Sequence, residues 1–492
     1  MLALLDKNAK TVQLAGIVLL MLCVAVFGFS GNPLFLAVPF GLLFAFLLFF
    51  NWKTGFWILL FSVPASIQIW FLGDSLSTSV PDEPIMWLFL LLSVVLIAAK
   101  PKIIPEWFWR NGLTMIIVAQ YLWLIVSVIY SHVPLLSLKF LAAKTWFLAS
   151  FFLIPVFIFR EKKDWIKAFW LLFIPTTILV TIVFYKHWRL GFSFELIQVA
   201  VRYLFYNHVD YSTFLSMIFP VICVAFYLSR GKGLFLRTFF LFLIAFYAAA
   251  IHFAYARAAV LAVIFSFTIM AAIRFRLVNW IMPAFYAFII FIVSYAATNN
   301  RYIDYRPDFR NTYMHKSFKE HLIATFKGRD ISSMERIYRW IGAVRMSTDE
   351  PVKGWGPNSF YFYYKPYTNT SFVTYVSRNP ERSTTHNYFL LMLVEQGAPA
   401  MLLYALLVFA FFAKAQRVFH RHKDRFYKAC TMAVAMVFAA SFVNNFFSEL
   451  IETHKIGSIF YLCISLLIVL DHKSRVSQQK EEPEATAAPP KI

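Results

Sequence analysis

The sequence predicts an all-α polytopic membrane protein of about 12–14 transmembrane helices with one large loop on the outer side. Three observations carry that expectation. Of the 492 residues, 60% are hydrophobic and only 14% charged, whereas soluble domains run roughly 45–50% apolar and about 25% charged. Apolar runs near the ~20 residues that a bilayer demands recur along almost the whole chain. Lys and Arg gather in alternate connections between those runs, as the positive-inside rule requires. The balance excludes an ordinary cytosolic enzyme, a disordered chain and a disulfide scaffold. Aromatic residues make up 19%, a load that lipid-facing and interfacial helix surfaces hold and a water-facing surface does not. Cys23, Cys223, Cys430 and Cys463 all lie in apolar runs with no CxxC pair, which argues against both a disulfide framework and a thiolate metal site.

Candidate spans lie near 11–30, 33–50, 55–72, 84–99, 112–130, 146–160, 166–185, 210–228, 234–252, 256–273, 278–297, 388–413, 428–447 and 456–470. Several are short for a crossing, which leaves 12 as the lower count. The run 146–160 is the weakest, being short, and is expected to begin earlier. Lys7 and Lys10 precede the first run like the n-region of a signal peptide. No small-residue cleavage site follows it, so it reads as an uncleaved helix.

With the N-terminus inside, the inner segments carry 25 Lys and Arg and the short outer loops carry 7. That asymmetry orients the chain with both termini cytoplasmic. The domain plan is a first bundle over 1–297, a large outer loop over 298–386, a last bundle over 387–470 and a tail over 471–492. The tail is polar and Pro-rich, a composition that favours disorder. The outer loop holds 14 Lys and Arg against 8 Asp and Glu. Solvation of a loop surface would account for such a surplus; so would an anionic substrate at the membrane–water interface. Helical spacing appears at 335–346 and, more weakly, at Phe318–Phe326. A turn-rich segment, Pro351-Val-Lys-Gly354-Trp-Gly356-Pro-Asn358, follows the first of these.

The usual soluble-enzyme signatures are missing: no GxxxxGK[ST], no HExxH and no GxSxG. Nor is there an Asp-x-Asp pair to hold a metal–nucleotide-sugar complex, so the sequence predicts no metal and no cofactor. What remains is a set of arginines at the outer ends of spans. Arg202 sits in an aromatic segment and Arg257 between two spans, while Arg336 and Arg339 share a face of the loop helix. Arginine near hydrocarbon depth is costly unless it is paired or functional. Its planar fork binds phosphate bidentately and stays charged when desolvated. Singly, each could be snorkelling to headgroups. A second constellation opens a span: His386 and Asn387 at its mouth, Glu395 nine residues further and Gly397 beyond it. A neutral imidazole can accept a hydroxyl proton in the physiological range; it can equally serve as a helix cap.

Taken together, Arg336-x-x-x-Trp340, Pro351-x-x-Gly354-x-Gly356-Pro-Asn-x-Phe360, His386-Asn387 and Glu395-x-Gly397 resemble the bacterial O-antigen ligase and O-antigen polymerase superfamily. Arg257 is similar to the arginine of that family's Ser-Arg-Gly element, here Ala256-Arg257-Ala258, and Arg202 to a basic residue before a later span. The resemblance implies a C-type glycosyltransferase-like enzyme of the bacterial inner membrane with its site facing the periplasm. Its donor would be a glycan on undecaprenyl pyrophosphate, and its acceptor a sugar hydroxyl of lipid A core or, in a polymerase, another lipid-linked glycan. His386 would be the base, with Arg336 and Arg257 on the pyrophosphate. Arg202, Arg339, Trp340, Asn387 and Glu395 would bind substrate. Nucleic acid has no place in this reading. The competing classes are a lipid-linked oligosaccharide flippase, which the long loop disfavours, and a scaffold protein.

Overall fold

The computed structural model describes Val18, residues 21–23, 25–26, 34–71, 76–307, 330–374, Ser377 and 384–486. Among them are eleven helices long and apolar enough to cross a membrane, and the chain is an all-α polytopic membrane protein. Most of the first run at 11–30 and the whole of Phe318–Phe326 lie outside the described residues.

The chain enters along α1 (Leu34–Ala65), which breaks at Asn51 (φ −143°). The runs at 33–50 and 55–72 are therefore one kinked helix, and the second run is overestimated at its end. Ile67–Phe71 (β1) leaves the helix and pairs antiparallel with Leu76–Val80 (β2), Ile67 opposite Val80. Alternation in Ile67-Gln68-Ile69-Trp70 has the period of a strand; uniform hydrophobicity hid it. Then follow α2 (Asp82–Ala99) and α3 (Gly112–Ile129). The next crossing, α4, runs over Pro134–Ile158 and is the third of the eleven, so the short run at 146–160 does begin earlier, and Lys139 and Lys144 belong to the helix. It contains a π turn over Leu148–Leu153, with the Ile154 amide reaching Ala149 O at 3.1 Å. Pro155, which has no amide hydrogen, follows directly.

The remaining crossings are α5 (Lys162–Arg189), α6 (His208–Leu228), α7 (Leu234–Phe253), α8 (Arg257–Arg274) and α9 (Val278–Ala297). The loop helix α10 (Ile331–Ser347) precedes α11 (Tyr388–Arg421), α12 (Arg425–Phe446) and α13 (His454–Thr486). The polar tail expected to be unstructured from 471 thus continues as helix to Thr486. Asp471 explains the start of that extension, because it accepts from Lys414 Nζ (3.3 Å), Arg421 Nη1 (2.7 Å) and Arg475 Nη2 (3.2 Å).

α12 and α13 form the enclosed centre, packed by α6, α8 and α11, while α9 lies at the rim with almost all of its surface uncovered. Polar side chains inside this core bond one another, as buried groups must. Asn444 accepts from Thr213 Oγ1 (3.0 Å) and donates to Ser216 Oγ (3.0 Å). Because successive crossings alternate in direction, the start of α8, loop helix α10, the mouth of α11 and the α12–α13 turn gather at one end of the bundle.

Candidate active site

The site is assembled from four places in the sequence. Arg257 opens α8, where a cation meets the unfavourable positive end of the helix dipole. It is held there by Asp330, whose Oδ2 lies 2.9 Å from Arg257 Nη2 and is wholly buried. The same oxygen accepts the Ser333 amide at 3.0 Å and the Ser333 hydroxyl at 2.7 Å, so Asp330 is also the N-cap of α10. One carboxylate therefore fixes the loop helix to the bundle.

α10 presents Arg336 and Arg339 on one face. Arg339 pairs with Glu335 (3.2 Å), and Thr374 and Ser377 both donate hydroxyls to the other oxygen of Glu335. Arg336 donates to Ser332 Oγ at 3.0 Å and has no carboxylate at ion-pair distance among the described residues. Trp340 donates its indole N–H to Thr385 O at 2.9 Å, which pins the segment before α11 to α10. Asn387 caps α11 by accepting the Leu390 amide (3.0 Å), and it donates to Phe446 O at 3.0 Å, joining α11 to the end of α12.

His386 lies between these two anchors with φ at +51°, a left-handed backbone that a non-glycine residue adopts only under constraint. Its Nδ1 is 3.9 Å from Glu449 Oε2 in the α12–α13 turn. Burial, then Arg336 and Arg339 alongside, push the His386 imidazole down to a pKa of about 3, so it is neutral throughout the physiological range. Burial pushes the Glu449 carboxyl up, with Arg336 among the groups drawing it back. Burial and the like charge of Arg257 pull the Arg336 guanidinium below its ordinary value, with Asp330 and Glu449 opposing. Arg336 Nε, Arg339 Nε, Glu335 Oε2, Thr384 Oγ1 and Glu449 Oε2 are buried here with no hydrogen-bond partner among the described residues. Two guanidinium N–H donors and carboxylate acceptors left unmade beside a neutral imidazole suit a ligand with anionic oxygens and a hydroxyl.

His386, Arg336, Arg339, Arg257, Trp340 and Asn387 are thus brought together. Arg202 and Glu395 are placed differently. Arg202 is exposed, with its guanidinium 5.0 Å from the centroid of the Tyr203 ring. Glu395 is buried in α11, accepting the Asn358 amide (2.9 Å) on one oxygen and the Phe360 amide (3.2 Å) on the other. Sequence reasoning missed Asp330, Glu335 and Glu449. The signal for Glu449 was an acid in the short turn between two spans, Ser448-Glu449-Leu450, where a carboxylate near hydrocarbon needs a partner. Among the described residues no three His, Cys, Asp or Glu side chains converge as metal ligands.

Residues 215–405 match the family model described as O-antigen ligase. Over that stretch the chain is similar to the O-antigen ligase family. No curated protein matches the chain significantly. The matched stretch runs from the middle of α6 into α11. It takes in Arg257, the whole of α10 and the mouth of α11, and leaves out Arg202 and Glu449. The O-antigen ligase family region therefore holds the residues that converge at the site, apart from the acid of the α12–α13 turn.

Proposed function

We propose that the chain is an O-antigen ligase, a glycosyltransferase that moves a polysaccharide from undecaprenyl pyrophosphate to a sugar hydroxyl of lipid A core at the periplasmic face of the inner membrane. The observation that carries this reading is a neutral His386 beside Arg336 and Arg339, whose buried Nε–H groups are unused among the described residues. The acceptor oxygen attacks the anomeric carbon, the bond from that carbon to the pyrophosphate oxygen breaks, and the electron pair leaves with undecaprenyl pyrophosphate. His386 takes the acceptor's proton and passes it on to solvent or to the departing pyrophosphate. Arg336, with Arg257 and Arg339, stabilises the charge that develops on the leaving group, the role that preorganised donors fill in many transfer reactions.

The field of the arginines gives the base a dependence on donor. In the free enzyme burial first, and then Arg336 and Arg339, hold His386 far below the value a general base needs. A pyrophosphate seated on them cancels part of that field and raises the imidazole toward working pH, so proton abstraction is favoured when the donor is present. Glu449, facing Nδ1, would fix the tautomer with Nε2 toward the acceptor.

The test supplies an undecaprenyl-pyrophosphate glycan of one repeat length with and without lipid A core, in excess chelator. A single addition to the core, absent without it and insensitive to chelator, is expected. A ladder of longer lipid-linked glycans that ignores the core would make the protein a repeat-unit polymerase with the same site. Loss of activity in chelator with rescue by magnesium would overturn the arginine mechanism. Vectorial movement of the lipid-linked glycan without any transfer product would make the chain a flippase.

A further inference from the structure

At the end of the bundle remote from His386, helices α5, α6, α7, α12 and α13 leave a cavity of about 590 Å³ between them. Direction along the chain fixes the end: α11 runs away from His386 to Arg421, and α12 returns from Arg425 toward Glu449. The chamber is walled almost wholly by apolar groups, among them Phe173, Ile218, Ala225, Phe240, Ala433 and Val437. Its size lies within the range of about 300–1,000 Å³ typical of ligand pockets. A polar solute would gain nothing from such walls.

The rim has the opposite character. Arg230 and Lys232 in the α6–α7 turn and Arg425 at the start of α12 border the opening and are exposed. The one acid beside them, Asp424, is engaged by Lys162 at 2.6 Å. Arg425 is held in place, donating to Tyr227 O at 3.0 Å with its guanidinium 4.6 Å from the Tyr227 ring centroid; Arg230 lies over the same ring at 5.7 Å. In the wall, Trp165 is buried and its indole N–H has no acceptor among the described residues. An apolar chamber, a cationic rim and an unused donor just inside it belong together if the occupant has a hydrocarbon chain, a carbonyl and a phosphate.

We propose that this cavity takes one acyl chain of an anionic phospholipid, with the phosphate on Arg230, Lys232 and Arg425. Attraction between basic residues and anionic headgroups holds the phosphate at the rim, while the acyl chain passes from bilayer hydrocarbon to equally apolar walls. The proposal is independent of the reaction assigned to the His386 end.

The full-length protein in phosphatidylcholine nanodiscs, carrying a trace of phosphatidylglycerol with a diazirine on its acyl chain, tests it. On illumination, label is expected on peptides 215–228 and 433–437. Ala225→Phe with Ala433→Phe, which fills the chamber, is expected to cut that label roughly tenfold. The exposed-rim variant Arg230→Gln/Lys232→Gln/Arg425→Gln leaves the apolar walls of the chamber unchanged and is expected to erase the preference for the phosphatidylglycerol probe over a phosphatidylcholine one. Equal labelling by the two probes in the unaltered protein would overturn the proposal. So would labelling that the filled chamber does not reduce, or displacement of the probe by a polyprenyl phosphate but not by phosphatidylglycerol.

Discussion

Two acidic residues at the ends of apolar helices, Glu395 and Glu449, lie in opposite kinds of environment. Both oxygens of Glu395 are satisfied by loop amides. Glu449 keeps a buried oxygen without a hydrogen bond, beside two arginines with unused Nε–H groups. The first arrangement is complete as it stands and so reads as architecture; the second is complete only with something added, and so reads as a site. Around Glu395 the completeness extends to the backbone. Gly397 (φ +80°, ψ 175°) breaks α11, and Pro399 has no amide to give to Glu395 O. The carbonyls released by that break are taken up from outside: Val394 O by the Trp355 amide (3.0 Å), Glu395 O by the Gly356 amide (2.8 Å) and Gln396 O by the Trp123 indole (2.8 Å). In return the Ala398 amide reaches Pro351 O at 2.8 Å. The turn-rich segment 351–358 and the Glu395-x-Gly397 element are one latch that seats the loop on the bundle.

The largest expected effect therefore comes from the latch. Gly397 occupies a region of backbone space that is essentially reserved for glycine, where another residue costs on the order of 1–3 kcal/mol. A Cβ there would also stand 1.8 Å from Val352 O. Gly397→Val is expected to detach the loop, seen as rapid proteolysis within 298–386 and loss of all transfer. Glu395→Ala, which leaves two amides unpaired at about 1–3 kcal/mol each, should show the same defect in milder form. A Gly397→Val protein that resists protease like the unaltered one would end the distinction between latch and site.

His386→Ala should separate the two regions from the other side. Transfer is expected to fall roughly 100- to 10,000-fold, while proteolytic resistance and detergent melting stay unchanged. Normal transfer would remove His386 as base. Arg336→Lys keeps the charge but loses the fork; a loss of roughly 10- to 100-fold is expected from it, again with the fold intact.

How much of this contrast was legible in the sequence follows from the same physics. Hydrophobic length and charge asymmetry predicted the helical membrane architecture because both are properties of single segments. The residues of the His386 end were legible where they are unusual for their depth, as Arg257 is, or where a motif carried the family resemblance, as at Arg336. Asp330 and Glu335 were not, because a carboxylate in a polar loop is ordinary until a fold buries it. Glu395 drew attention by its depth, but which groups answer a buried charge is a matter of contacts across 35–37 residues, and no periodicity encodes them. The hairpin after Ala65 was lost for a different reason: a strand made of bilayer-compatible residues continues the hydropathy of the helix before it.

A finer test acts through the field at His386 and not through the reaction itself. Arg339 depresses the imidazole. A base with its pKa near 3 is unprotonated above that pH, so kcat/KM of the unaltered enzyme should show no acid limb from His386 between about pH 5 and 8. Arg339→Gln removes one depressing charge, which raises the imidazole and moves the acid limb upward, with activity at pH 8 affected less than at pH 5. A limb that stays fixed would mean that Arg339 does not act on the base.

The smallest effect is expected at Arg202, and it bears on where the site ends. The resemblance that singled out this residue places it near the donor, but here its guanidinium is exposed over the neighbouring Tyr203 ring, an arrangement worth about 0.5–1 kcal/mol at an exposed position. Nothing in the His386 cluster bonds to it among the described residues. Arg202→Ala should therefore leave transfer within roughly fivefold of the unaltered rate, the scale that about 0.5–1 kcal/mol allows. Raising salt should abolish even that difference, because an exposed charge is screened within about 10 Å at 0.1 M ionic strength. A loss as deep as that of Arg336→Lys, persisting in high salt, would instead show that the donor reaches over to α6 and that the site is wider than the three-arginine cluster.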